Sequence, residues 1–166
     1  MNLDGYALPI KKLKGTEPVE SLDLSGKKLG GASAIVIASL ISVNGGLTRV
    51  DVRHNAFAGD GAAQLSAAVL GNLKIEMFNE IPIKEMRANS LTELDLNGKG
   101  VGVEGGMVVA GLIPVMGGLT SLDLSNNALC GVVQDPFGRI SDTYTAEGLS
   151  AIMDSLRVNG ALTKIE

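Results

Sequence analysis

The chain has 166 residues, a net charge of −4 and one cysteine, with 45% hydrophobic but only 3% aromatic residues. That length is enough to bury a core, which here must be aliphatic, within one domain. The acidic balance, with no basic run beyond KKLK at 11–14, argues against nucleic acid, and a lone Cys130 excludes an internal disulfide and suits a reducing, intracellular compartment.

The opening MNLDGYALPIKK lacks the apolar stretch of a signal peptide. Met1–Tyr6 reads as an irregular segment, followed by Pro9-Ile10-Lys11-Lys12-Leu13. A strand is then expected over 20–24, where Leu22-Asp23-Leu24 alternates, and a helix over Ala32–Val43. The sequence repeats itself with a strand over 48–52 (Val50-Asp51-Val52) and a helix over Asp60–Leu70. Leu73–Phe78 is a second irregular strand, in which either Leu73 and Ile75 or Ile75 and Phe78 face inward. Between Phe78 and Leu94 there is too little chain for a full helix, and Pro82 suggests an extended or 3₁₀ segment. A strand over 92–96, a helix over Gly105–Met116 and a strand over 120–124 follow, all expected in one parallel sheet with helices on its other face. Cys130–Thr143 is an inserted loop, since Leu122 to Ile165 spans 43 residues where 28 suffice. A last helix is expected over Thr145–Val158, before a truncated strand at Leu162–Glu166.

Two periods are superimposed. Leu22 to Val50 and Leu94 to Leu122 are each 28 residues, a spacing that signals a solenoid of strand–helix units. Residues 19–55 also align without gaps on 91–127, with 17 of 37 positions identical. Pro82-Ile83-Lys84 echoes Pro9-Ile10-Lys11 as well. A single domain over 1–166, made by tandem duplication of a block (about 1–72 and 73–166), accounts for both. The end in a partial strand leaves room for a fragment of a longer solenoid, or for a subunit whose end is buried in a complex.

The pattern Leu119–Leu129 (LTSLDLSNNAL), with its copy Leu47–Phe57 (LTRVDVRHNAF), resembles leucine-rich repeats of the long, ribonuclease-inhibitor-like kind. The resemblance implies an α/β, open leucine-rich-repeat solenoid with a concave parallel β-sheet and convex helices, and a protein-binding surface in place of an active site. It also implies that Asn55 and Asn127 bond to the backbone of adjacent turns. Lys27 and Lys99 stand at the matching positions and cannot do so, since an ammonium accepts no hydrogen bond.

Chemistry is sparse. His54 is the only histidine and lies in a turn, with no serine or cysteine placed to act as its nucleophile partner. No phosphate loop, dinucleotide fingerprint or zinc spacing occurs. No enzyme, cofactor or metal site is expected. The charge-free runs Leu29–Thr48 and Gly105–Leu122 are long enough to span a membrane, but each contains a Gly-Gly pair in register with the repeat, so no transmembrane segment is expected.

Three surfaces remain as candidates. On the concave face, Asp23, Asp51, Asp95 and Asp123 stack from strand to strand, with Arg49, Arg53, Glu93 and Lys164 beside them; a basic partner suits this strip, and a ligand or cation is the alternative. In the loop, Phe137 and Arg139 are candidate contacts, in a segment long enough to be either functional or disordered. On the helices, Val36, Leu40 and Val43, with counterparts Val108, Leu112 and Val115, are expected to point away from the sheet. A helix apolar all round should be covered, by a partner, a second copy or the Pro-Ile-Lys segments; a partner or self-association is favoured here. The function expected is that of a rigid protein-interaction or assembly module.

Overall fold

In the computed structural model the described residues are 1–131 and 144–166. The chain begins with an antiparallel hairpin, β1 (Asn2–Leu3) and β2 (Tyr6–Ala7), turned by Asp4 and Gly5, both at positive φ. This corrects the reading of Met1–Tyr6 as a counterpart of the Leu73–Phe78 strand. The Asp-Gly pair specifies a two-residue reverse turn, which folds the segment on itself. A short helix α1 (Ile10–Lys14) follows Pro9.

The repeated units come next. They are β3 (Ser21–Asp23) with α2 (Gly31–Ile41), then β4 (Arg49–Asp51) with α3 (Gly59–Gly71). β5 (Met77–Phe78) leads into α4 (Ile83–Arg87). The second block gives β6 (Glu93–Asp95), α5 (Val103–Leu112) with a 3₁₀ turn at Ile113–Val115, β7 (Ser121–Asp123), α6 (Glu147–Leu156) and β8 (Lys164–Ile165). No helix among the described residues is long and apolar enough to cross a membrane.

The strands pair in parallel with the 28-residue register intact, Leu22 beside Val50 and Leu94 beside Leu122. They form two three-stranded sheets, β3-β4-β5 and β6-β7-β8, where one continuous sheet was expected. The break has a local cause. After Phe78 the chain turns back through Asn79 and Glu80, both at positive φ, and Phe78 bonds antiparallel to Ile81. Its backbone is thereby engaged before β6 can reach it. Over 73–78, Ile75 and Phe78 are buried and Leu73 is exposed, which settles the register. Pro82 precedes a true α-helical turn, because a helix start has no use for the N–H that proline lacks.

Inward residues of the strands (Leu22, Val50, Leu94, Leu122) meet inward residues of the helices (Ala34, Ile37, Ile41, Leu65, Val69) in an aliphatic core. Consecutive helices approach closely at their first turns. A side chain at Gly61 would sit 2.6 Å from the Gly31 carbonyl oxygen, and one at Gly148 3.2 Å from that of Val103.

This stacking corrects the helix-surface expectation. Val108 and Leu112 are buried, and Val36 and Leu40 are half-buried against the core; only Val43 and Val115, beyond the helix ends, are exposed. A helical wheel drawn against the sheet alone ignores the flanks. α5 packs between α3 and α6, and Leu70 of α3 fills the space above Gly111. The cover is the chain's own neighbouring helices. Leu112→Ala should therefore cost roughly 2–5 kcal/mol, whereas Val115→Ala should stay within about 0.5 kcal/mol; urea unfolding of both variants checks this.

Candidate interaction surface

The strand faces turned away from the helices carry the candidate strip. Leu-Asp-Leu alternation buries each leucine and turns each aspartate outward. Each aspartate first serves its own turn. Asp23 Oδ1 accepts from the Ser25 N–H at 2.8 Å and from its hydroxyl, and Asp123 does the same with Ser125. Asp95 accepts from the Asn97 N–H at 2.9 Å. These bonds hold the Asp23 and Asp123 carboxyls below the usual carboxylate range, the seryl hydroxyls contributing most.

Asp51 differs. It takes Arg53 through Nε and Nη2, at 3.0 and 2.7 Å, and is neutralised there. Arg53 also pairs with Glu80 at 2.7 Å and donates to the Lys99 carbonyl at 3.0 Å; its pKa is raised by these carboxylates, Asp51 first. Around this cluster lies a shallow open depression of about 250 Å³, lined by Asp23, Arg49, Asp51, Arg53, Met77 and Glu80 among others. Arg49 stands exposed on it, 4.0 Å from the Met77 sulfur. On the second sheet, Glu93 is exposed beside Asp95, and Lys164 pairs with Glu166 at 2.7 Å. The strip thus falls into two groups, one on each sheet. Among the described residues no three His, Cys, Asp or Glu side chains gather closely enough to hold a metal ion, so the cation alternative finds no support.

The remaining sequence candidates separate. His54 sits at positive φ against Gly100, within the junction of the two blocks. Phe137 and Arg139 lie outside the described residues, although the ends of their loop are tied by the Thr145 N–H donating to the Cys130 carbonyl at 3.0 Å. Sequence reasoning missed Asn79, Glu80 and Glu104. Asn79 accepts from the Val52 N–H at 2.8 Å and donates to Glu104 Oε1 at 3.0 Å, deep in the junction. The available signal was Glu104 itself, the one charge in Val101-Gly-Val-Glu-Gly-Gly-Met107, where the first block has Ala32.

Residues 118–140 match the Leucine Rich Repeat family. The chain carries a leucine-rich repeat. Within the matched repeat lie β7 and Asn127, whose amide donates to Leu96 and Leu124 carbonyls at 2.7 and 3.0 Å and accepts from the Val101 N–H. Asn55 does the same 72 residues earlier, in the first block, toward Leu24, Val52, Lys27 and Leu29. Lys27 and Lys99 head the first regular turn of each block, next to an irregular one, so no matching repeat turn precedes them to be bonded. Among solved structures the chain is similar to the leiomodin-1 actin-binding site 2 (ABS2), at 13% identity, TM-score 0.46, covering 95% of this chain and 75% of that one. It is also similar to a tropomodulin C-terminal domain from Caenorhabditis elegans, at 10% identity and TM-score 0.44, covering 94% and 78%. No curated protein sequence matches it.

Glu104 makes the junction sensitive to pH. Burial pushes its carboxyl from 4.5 up to about 7, opposed by its own N–H and by Asn79. The native state thus holds the proton more tightly than the unfolded chain does. Stability from this group is full below 4.5, falls as pH rises through the interval, and levels off above about 7. The loss is roughly 3 kcal/mol. Urea unfolding at pH 5 and pH 8 should show it in the native sequence and not in Glu104→Gln; an unchanged pH dependence in the variant would refute the assignment.

Proposed function

We propose that the chain is a non-catalytic protein-binding module, an open leucine-rich-repeat solenoid over 1–166 built by tandem block duplication, whose exposed strand face receives a basic segment of a protein partner. The observation that carries this reading is the row of carboxylates at one register position, Asp23, Asp95 and Asp123, exposed or half-exposed on strands with buried leucines behind them. Asp95 and Asp123 lie on adjacent strands, about 4.8 Å apart, a pitch that an extended peptide laid across the strands can follow, while Asp23 stands at the same register position on the other sheet. Bonds to the turns fix these side chains in direction, which lowers the ordering cost of binding. Asp51, already neutralised by Arg53, is excluded from this role and serves the junction. A single free cysteine fits a reducing, intracellular setting.

Peptides selected by display against the chain should carry a Lys/Arg-rich consensus. Their binding should weaken on the order of tenfold, about 1.4 kcal/mol, in Asp23→Asn/Asp95→Asn at low salt, and less at high salt where charges are screened. The control Asp154→Asn, on α6, should bind as the native chain does. Selected peptides without basic residues, or affinity untouched by the double variant, would exclude this face.

A further inference from the structure

We propose that the rim formed by the C-terminal ends of the helices docks on a membrane surface bearing anionic lipids. Large apolar side chains project from this rim. Val43 and Leu73 lie just beyond α2 and α3, and Val115 closes the 3₁₀ turn after α5. They are 70%, 78% and 54% exposed, although α2, α3 and α5 each pack between two neighbouring helices.

The amides at the helix ends set these side chains in one row. Asn44 turns inward to the Lys12 and Leu13 carbonyls at 2.9 Å, and Asn72 to those of Ile41 and Asn44 at 2.7 and 2.9 Å. Val43 and Leu73, beside them in the chain, are turned outward. The row continues past the end of α4, where Arg87 donates to the Asn72 carbonyl at 3.4 Å and Asn89 accepts from the Gly118 N–H at 3.0 Å, close to Val115. Among the described residues, a side chain added at Gly45, Gly71 or Gly117 would meet nothing within 4 Å beyond its own chain neighbours, so the tips stand clear.

The charges beside the row select the occupant. Lys14 adjoins Gly15, where an added side chain would stand 3.3 Å from Asn44, and Lys74 follows Leu73 with its N–H on Asn72 at 2.9 Å. Both lysines are exposed and in no ion pair among the described residues, whereas Glu17 is paired with Lys12 at 3.6 Å and Glu76 with Lys84 at 2.9 Å. Unpaired cations thus stand beside projecting aliphatic tips, on a chain of net charge −4. An anionic bilayer takes both at once. The tips enter the boundary between headgroups and acyl chains, while the lysine stems lie along it and keep their ammonium groups at the phosphates. An acidic protein fits less well, because it would have to supply a separate pocket for each tip; a fluid interface needs none. The carboxylates of the strand face are repelled by the same surface, which favours approach by the rim.

The chain contains no tryptophan, so Leu73→Trp reports contact directly. Its fluorescence should shift to the blue with vesicles of equimolar phosphatidylcholine and phosphatidylserine, and not with phosphatidylcholine alone. Ile35→Trp, at the other end of α2 and 38% exposed, should show no shift. In co-sedimentation with the anionic vesicles, Lys14→Glu/Lys74→Glu and Val43→Ser/Leu73→Ser should each weaken binding at least about tenfold. Circular dichroism should be unchanged in both, since all four side chains are exposed. A native chain that ignores the anionic vesicles, which leaves the rim to a protein, would overturn the proposal. So would equal binding to phosphatidylcholine alone, a shift of the same size from Ile35→Trp, or binding that survives either double variant.

Discussion

Each turn of this chain is too tight to satisfy its own backbone, and asparagine side chains that reach from one unit to the previous one supply what is missing. At the strand ends, Asn55 and Asn127 bond to backbone on two turns at once. At the helix ends a second ladder does the same. Asn44 donates to Lys12 and Leu13, Asn72 to Ile41 and Asn44, and Asn159 to Ile113 and Met116. A buried carbonyl left unpaired costs about 1–3 kcal/mol, so these amides set the spacing at which the leucines meet. The amide group suits the task because it donates and accepts along the same short side chain.

The second ladder has one substitution, and it falls where the two blocks join. Met116 stands where the first block has Asn44, so the unit after α4 has no amide to offer. Asn89, after α4, takes over part of the task by accepting from the Gly118 N–H at 3.0 Å, and one rung earlier Arg87 of α4 donates to Val69, Leu70 and Ile75 carbonyls at 2.9–3.1 Å. A guanidinium is well placed at the α3 C-terminus, where carbonyls converge and the helix dipole is negative. The same junction carries Arg53, Glu80 and Lys99 at the surface, with Asn79 and Glu104 beneath. Side chains thus join two sheets that no backbone ladder connects. Glu104 is buried there with only the Asn79 amide and its own N–H to offset its charge.

The Leu-Asp-Leu strand serves two purposes with three residues. Its leucines close the core, and its aspartate stabilises the following turn by accepting from the residue two positions on. The carboxylate left at the surface is a by-product of that turn, already oriented. A binding face can therefore arise on this scaffold without any residue being added for binding.

Strand and helix positions, the parallel register and the outward direction of the aspartates were legible in the sequence, because the 28-residue period and the two-residue alternation are local regularities that every unit obeys. The interruption between the sheets was not, since it depends on Asn79 and Glu80 adopting positive φ and turning Phe78 onto Ile81. Nor was the burial of Val108 and Leu112. A helical wheel ranks faces against one neighbour, whereas a helix in a stack has three, and only the packed structure says how far Leu70 reaches over Gly111. Likewise Asp51 and Asp95 are interchangeable in the repeat, yet one is tied to Arg53 and the other is free toward solvent. Repetition determined the architecture; which copies remain available at the surface was decided by contacts between units, where the copies cease to be equivalent.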